Sequence, residues 1–455
     1  MIKPRRILYT RSANDANFLP SLAIINRITR HFAPFYLLSL HRYTILYFVS
    51  QHYRKESLIM HTYKLYSSLP ELTTHKVWAE IDLDALRANY RALAAAIKTS
   101  TPDCRPMCVV KADAYGHGID FCVEALLGEG CDFFAVSSID EALAVRQVCR
   151  SANSDADILI LGYTPAEEAV TLSRCSIIQT VFSLDYARAL SRRLSEAGKA
   201  LRVHIKFDTG MNRIGFPAHS ADETERSAHE IAEVAALPGI IAEGAFTHFA
   251  RADEENGELR TKEQADRYFE LLARANELGA NLKVRHICNS AATLRFPEYH
   301  LDLCRLGILL YGAEPSDMFD FPVRPVLRLC AQISQIHTLR AGEALSYGGI
   351  FTAPRDMRIA TIPIGYADGF IRAYSGATAV IYSRDGKLSG KAKIIGRICM
   401  DQCMLDLTDT DAHEGDTVVL IGEDGQLDEL ASLAHTINYE CLCLISARVP
   451  RVVKG

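Results

Sequence analysis

From Lys76 onward the apolar and polar positions fall into two alternating periods. Short apolar runs lie near 107–111, 132–136, 157–160, 177–182, 201–207, 240–247, 282–287 and 302–305, and their length and composition predict buried strands. Between most of them apolar residues recur at helical spacing, as over 138–150, 184–197 and 263–278. Ahead of them Val77-Trp78-Ala79-Glu80-Ile81 alternates as a strand, and Asp84 can cap a helix whose Leu86, Tyr90, Leu93 and Ile97 share one face. Eight strands with intervening helices over roughly 210 residues predict an α/β fold, a parallel (β/α)8 barrel. Near Phe321 the rhythm changes. The runs 326–336, 357–364, 377–382, 392–398 and 417–421 are short and β-rich, separated by turn signals such as Arg384-Asp385-Gly386, and predict a second, mainly β domain. The expected organisation is a barrel over 76–320, its first strand free to pair with the β domain, followed by a β-rich domain over 321–455.

Residues 1–59 do not share this pattern. They hold nine Lys/Arg against two Asp/Glu, in a chain whose net charge is -5. The apolar stretch 33–50 is interrupted by His41 and Arg42, which argues against a membrane span. A targeting leader fits this composition; we favour a start at Met60, with 1–59 outside the fold. At 455 residues, 49% hydrophobic and 23% charged, the chain has the composition of a globular protein of two or three domains. Its acidic balance argues against nucleic acid as a partner. The thirteen scattered cysteines form no paired C-x-x-C sets. The close pairs Cys399/Cys403 and Cys441/Cys443 read as core thiols, so no metal is expected and the setting is reducing and cytoplasmic.

Candidate chemistry gathers where such barrels keep their active sites, at the C-terminal ends of the strands. Lys111 ends the first strand, where an ammonium must be paired, neutralised, covalently used or led to water. A turn with a helix-like segment follows it, carrying Tyr115, Gly116 and Gly118. Lys206 lies in the fifth strand, which leads to Arg213. Thr247-His248-Phe249 ends the sixth, Cys288-Asn289-Ser290 follows the seventh, and Arg305-Leu306-Gly307-Ile308 ends the eighth. Singly, Ser290 could be an N-cap, His248 a satisfied core histidine and Arg213 a solvated charge. Five such groups at matching strand ends point to one site. Ser290, Gly307 and Ile308 would hold a phosphate there, with Tyr115 adding a phenol donor.

The stretch Val109-Val110-Lys111-Ala112-Asp113-Ala114-Tyr115-Gly116-His117-Gly118 resembles the cofactor-lysine motif of alanine racemases. The resemblance extends through Phe207–Gly215, Ser346-Tyr347-Gly348, Gly365–Gly369, Gly396–Asp401 and Arg448-Val449-Pro450-Arg451, and covers nearly all of 76–455. It implies a cytoplasmic homodimer with shared sites that interconverts L- and D-alanine on pyridoxal 5'-phosphate and supplies D-alanine for peptidoglycan. Lys111 would hold the cofactor covalently and act as base on one face of the α-carbon. Tyr347 of the partner subunit would act on the other, since inversion needs a proton removed on one side and returned on the opposite one. Arg305 would meet the pyridine nitrogen without giving up its proton, which limits transamination, and His248 would support it. Arg213 and the backbone at Met400 of the partner subunit would meet the substrate carboxylate. In several relatives the lysine matching Lys206 is carbamylated. Tyr366, Asp253, Arg372 and Arg397 match the entry corridor, or are interface ion pairs. One departure stands out: Ala447 stands where a tyrosine precedes Arg-Val-Pro-Arg in the well-studied form of the motif. The space it leaves makes a serine/alanine racemase the main alternative. A decarboxylase of the same architecture would need an acid where Arg305 stands, and a non-catalytic cofactor-binding barrel would have no use for Tyr347 and Met400.

Overall fold

The structure, a computed structural model, describes residues 75–455 apart from 317, 423 and 424; the stretch 1–59 and the start at Met60 lie outside the described residues. Among these residues two large sheets organise the chain. Strand β1 (Val77–Asp82) runs directly into helix α1 (Leu83–Ser100), whose apolar face of Leu86, Tyr90, Leu93 and Ile97 is buried as its spacing predicts. The cap is Asp82, not Asp84: the Asp82 carboxylate accepts from Ala85 N at 2.8 Å, and Asp84 sits in the first turn. Strand and helix abut, so the last residue of the strand must do the capping.

The barrel strands are β2 (Arg105–Val109), β3 (Phe133–Val136), β4 (Asp157–Ile160), β5 (Ile177–Val181), β6 (Leu201–Asp208), β7 (Ile240–Phe246), β8 (Val284–His286) and β9 (Leu303–Leu306). They pair in parallel in the order β9-β2-β3-β4-β5-β6-β7-β8. β3 and β5 are buried at every residue, as parallel strands covered by helices require. Between β8 and β9 the ring is drawn together by Asp302 N donating to Arg285 O (3.1 Å) and Arg305 N to Cys288 O (3.2 Å). The expected eight-stranded barrel is present, and its strand ends gather on one rim.

The second sheet contains β10 (Leu327–Gln332), β11 (Gln335–Leu339), β12 (Met357–Ile362), β13 (Thr378–Tyr382), β14 (Leu388–Ile395), β15 (Cys403–Asp406), β16 (Thr417–Ile421) and β17 (Arg451–Lys454). Its order is β11-β12-β15-β14-β13-β16-β10-β1-β17. β1 lies inside it, antiparallel to β10 with Val77 opposite Ala331, and parallel to β17 with Ala79 opposite Arg451. Three details differ from the sequence pattern. The run 326–336 is two strands, broken after Gln332. The run 392–398 belongs to a strand that begins at Leu388 and stops at Ile395, before Gly396 at φ +68°. β15 and β17 are strands that the pattern does not single out. One hydrophobic core runs from the barrel through β1 into the second sheet. Among the described residues no group of His, Cys, Asp or Glu is placed to hold a metal, and no helix is long and apolar enough to cross a membrane.

Candidate active site

Lys111 stands at the entrance to a left-handed turn. β2 ends at Val109, Val110 N donates to Ala135 O at 2.9 Å, and then Ala112, Asp113, Ala114 and Tyr115 all take φ near +54°. The segment that reads as helix-like is therefore one turn of left-handed helix. Each non-glycine residue in that conformation costs about 1–2 kcal/mol, so the surroundings must hold the turn. Asp113 Oδ1 accepts from Ile119 N (2.8 Å) at the start of helix α2 (Ile119–Gly128). Glu141 Oε1 accepts from Ala112 N (2.7 Å), while its Oε2 completes the Ser138 capping box of helix α3 (Ile139–Ser151). The buried His117 ring places Nδ1 2.9 Å from Ala114 O and lies 4.6 Å from the Tyr311 ring. From β17, Arg451 Nε donates to Gly116 O at 3.0 Å.

The rim around Lys111 is cationic. Burial lowers the Lys111 pKa, Arg213 and Arg305 push the same way, and Cys443 and Glu141 oppose them. An amine so placed is closer to the neutral form that can accept a proton at neutral pH. Buried Arg305 donates from Nη1 to His286 O (2.7 Å) and His286 Nδ1 (3.0 Å), and from Nη2 to Thr247 O (2.8 Å) and Ile287 O (3.0 Å). Half-buried His248 has Nδ1 3.4 Å from Nη2. A guanidinium only donates, which fixes the tautomers behind it. His286 Nδ1 must accept, so its Nε2–H faces His204 Nδ1 at 2.9 Å, and the His204 proton then sits on Nε2, 3.5 Å from Glu243 Oε1. Burial, and then the neighbouring His204, Arg305 and Lys206, hold His286 well below its ordinary pKa, so this chain of rings stays neutral. Buried Lys206 donates to Phe207 O (3.1 Å) and lies 5.1 Å over the Phe246 ring, which Arg305 also faces. Its pKa is held well below the ordinary value by burial first, then by Arg305 and Arg213, with Asp208 opposing.

Opposite these groups lies a cradle around Gly307. Gly307 N donates to Ser290 Oγ at 2.9 Å, and a Cβ at Gly307 would stand 2.8 Å from the Tyr115 hydroxyl. Ser290 is not the cap of its short helix: Asn289 is, accepting from Ala292 N at 2.9 Å, which leaves Ser290 turned to Gly307. Ile308 is buried just beyond, and Tyr115 packs 6.2 Å from Tyr439 of the second domain.

The structure thus brings Lys111, Lys206, Arg213, His248 and Arg305 together at the rim, with Tyr115, Ser290, Gly307 and Ile308 forming the cradle. Tyr347 and Met400 sit elsewhere. Tyr347, 69% exposed, is at the tip of a ribbon of Ala344–Leu345 and Phe351–Thr352, and Met400 is 52% exposed on a neighbouring loop. Ser346 Oγ joins the two loops by donating to Arg397 O at 2.7 Å. Tyr366 lies on the same surface, its N donating to Cys399 O at 3.1 Å. Ala447 is exposed, and Cys443, close enough to Lys111 to affect its charge, is exposed rather than a core thiol. The sequence pattern alone assigns no role to His117, Glu141, His204, His286, Tyr311 or Arg451. For Glu141 a signal exists, since Ser138-x-x-Glu141 is a capping-box pattern.

Comparison with known proteins agrees with this architecture. Residues 81–315 match the family described as alanine racemase, N-terminal domain, and residues 326–453 match alanine racemase, C-terminal domain. The chain is 41% identical over 380 residues to an alanine racemase of Desulfovibrio desulfuricans, a match covering 83% of this chain and 97% of that one. Among solved structures it is similar to an alanine racemase of Clostridium difficile, with 38% identity, a TM-score of 0.76, and 84% and 97% of the two chains covered. It is also similar to the Bacillus anthracis alanine racemase with bound L-Ala-P, with 32% identity, a TM-score of 0.75, and 84% and 96% covered. The chain belongs to the alanine racemase family.

Proposed function

We propose that this chain is a pyridoxal-phosphate-dependent racemase that interconverts L- and D-alanine as a homodimer with shared sites. The carrying observation is the donor set of the rim. Among the described residues Arg305 and Lys206 hydrogen-bond only to neutral acceptors. The excess of positive charge suits a phosphate and a carboxylate. Pyridoxal phosphate fits the residues present. Ser290, Tyr115 and the backbone at Gly307 and Ile308 would hold its phosphate, and Lys111 would hold it covalently. Arg305 would meet its ring nitrogen. When bound, the group withdraws electrons from the amino acid and so acidifies its Cα–H.

The chain's own residues then handle the proton. Lys111 Nζ, once the substrate's amine has displaced it from that covalent bond, would take the proton from, or return it to, one face of the α-carbon, and the hydroxyl of Tyr347 of the partner subunit would serve the opposite face. Arg305, though burial brings its pKa down to about 10, remains protonated at neutral pH and keeps its proton. Arg213 would orient the substrate carboxylate, together with the backbone at Met400 of the partner subunit. Carbamylation of Lys206 would replace a costly buried cation with an anion facing Arg213. The exposure of Tyr347 and Met400 supports a second copy covering them. A cytoplasmic role in supplying D-alanine for the cell wall accords with this chemistry.

A second substrate, serine, is favoured by one observation, the small exposed Ala447 just before Arg448-Val449-Pro450-Arg451, where the resemblance leads one to expect a tyrosine. D-product formation from L-alanine and L-serine, side by side with pyridoxal phosphate, tests both. Alanine is expected to exceed serine by about tenfold or more, since one small pocket change is worth only ~1–3 kcal/mol. No D-product from either would overturn the proposal.

A further inference from the structure

We infer that Arg451 and Glu141 are positioning residues for Lys111, gripping the two ends of its left-handed turn, one from each domain. The inference rests on Lys111 being the residue that holds the cofactor and moves the proton. Glu141 fixes the near end, because Ala112 N, the first amide after Lys111, donates to its Oε1 at 2.7 Å. The carboxylate cannot swing, since Oε2 also accepts from Ser137 N at 2.8 Å and Ser138 N at 3.2 Å. Arg451 fixes the far end. Its Nη1 donates to Ser446 O and Val449 O (both 2.7 Å) and its Nη2 to Ile445 O (2.9 Å), so three carbonyls hold the guanidinium plane while Nε reaches Gly116 O at 3.0 Å. Beneath that carbonyl the second domain comes so close that a Cβ on Gly116 would meet Leu442 O at 2.5 Å. Arg451 is itself set in register by β17, opposite Ala79 of β1. A turn of four left-handed residues has a right-handed alternative within easy reach. Release of either end would tilt the backbone from which the Lys111 side chain springs, without removing any group that touches substrate.

The test compares Arg451→Met, Arg451→Lys and Glu141→Gln with the full chain carrying pyridoxal phosphate. It reads hydrogen exchange over residues 110–118, kcat and KM for alanine, and the visible absorption of the bound cofactor. Arg451→Met should speed exchange in the turn and lower kcat by about 10- to 100-fold, the scale of a misplaced catalytic group, with KM within about twofold. Arg451→Lys, which keeps a donor, should recover part of kcat. Glu141→Gln, which keeps an acceptor for Ala112 N, should be milder than Arg451→Met. Unchanged kcat in Arg451→Met, or a lower kcat with unchanged exchange in the turn, would overturn the inference. If Arg451→Met does not fold, wild-type exchange and kcat in both other variants would overturn it equally. If the unmutated chain racemises nothing, the proposed function fails, while exchange in the turn still decides whether Arg451 and Glu141 hold it.

Discussion

The barrel rim and the exposed loops of the second domain are built to similar rigidity but to opposite states of completion. At the rim, Arg305, Lys206, Ser290 and Tyr115 are buried, and the Lys111 turn is held from several sides. In the second domain the loops are also well tied. Arg448 donates to Asp401 at 2.8 Å and pairs with Asp368 at 3.2 Å, and Ala367 N donates to Met400 O at 3.0 Å. Yet the side chains these loops present, Tyr347, Ile350, Tyr366 and Met400, are exposed. Order without cover accords with the proposal that a second copy of the chain completes this surface. Arg448 and Arg451, three residues apart, hold different parts: the first steadies the loop of Met400, the second the turn of Lys111.

The strongest way to break this contrast is to separate the two halves by mutation. Lys111→Ala and Tyr347→Phe should each lose racemase activity by about 10³-fold or more. If the halves meet across subunits, dissociating and reassociating an equal mixture should restore roughly one intact site in four. No recovery would mean that Tyr347 does not complete a partner's site. Next in size is acid sensitivity. Burial lowers the His117 pKa to about 4 from 6.5, and His204, His248 and His286 are lowered for the same leading reason. As pH falls below about 6.5 the unfolded chain takes up protons that the folded chain refuses. The contribution of neutral His117 is therefore complete above that pH and declines towards pH 4, by up to about 1.4 kcal/mol per pH unit. Urea unfolding at pH 7 and pH 5 should show the loss, and His117→Gln should reduce it; an identical pH dependence in that variant would remove His117 as its source. The smallest effect is expected at Ala447. Ala447→Tyr should lower the serine/alanine ratio by about tenfold or less, on the scale of 1 kcal/mol, and an unchanged ratio would make this position a neutral variation.

Much of the rim is legible in the chain because a parallel barrel puts strand ends on one side, so Lys111, Lys206, His248, Ser290 and Arg305 can be grouped from spacing alone. Other features depend on contacts that spacing does not carry. Ala112 and Ala114 are good helix formers and none of Ala112 to Tyr115 is a glycine that would mark positive φ; the handedness is imposed by Glu141, His117 and Arg451. The His204–His286–Arg305 chain joins three strands and is visible only once they are neighbours. β17 reads as a tail because its partner, β1, lies at the other end of the described fold, and Asp84 reads as the cap because the pattern does not show how abruptly β1 becomes α1. The clearest signals are periodic ones. Those hidden are pairings across long stretches of chain.

The placing of β1 beside β17 has a consequence for synthesis. The barrel can close around its own strands as they emerge, and β1 can meet β10, but its other neighbour, β17, is made about 370 residues after β1, and at about 5–20 residues per second that wait is roughly 20–70 s. Arg451 arrives with it. A barrel finished before Arg451 arrives would carry its lysine in a turn that lacks the grip on Gly116 O.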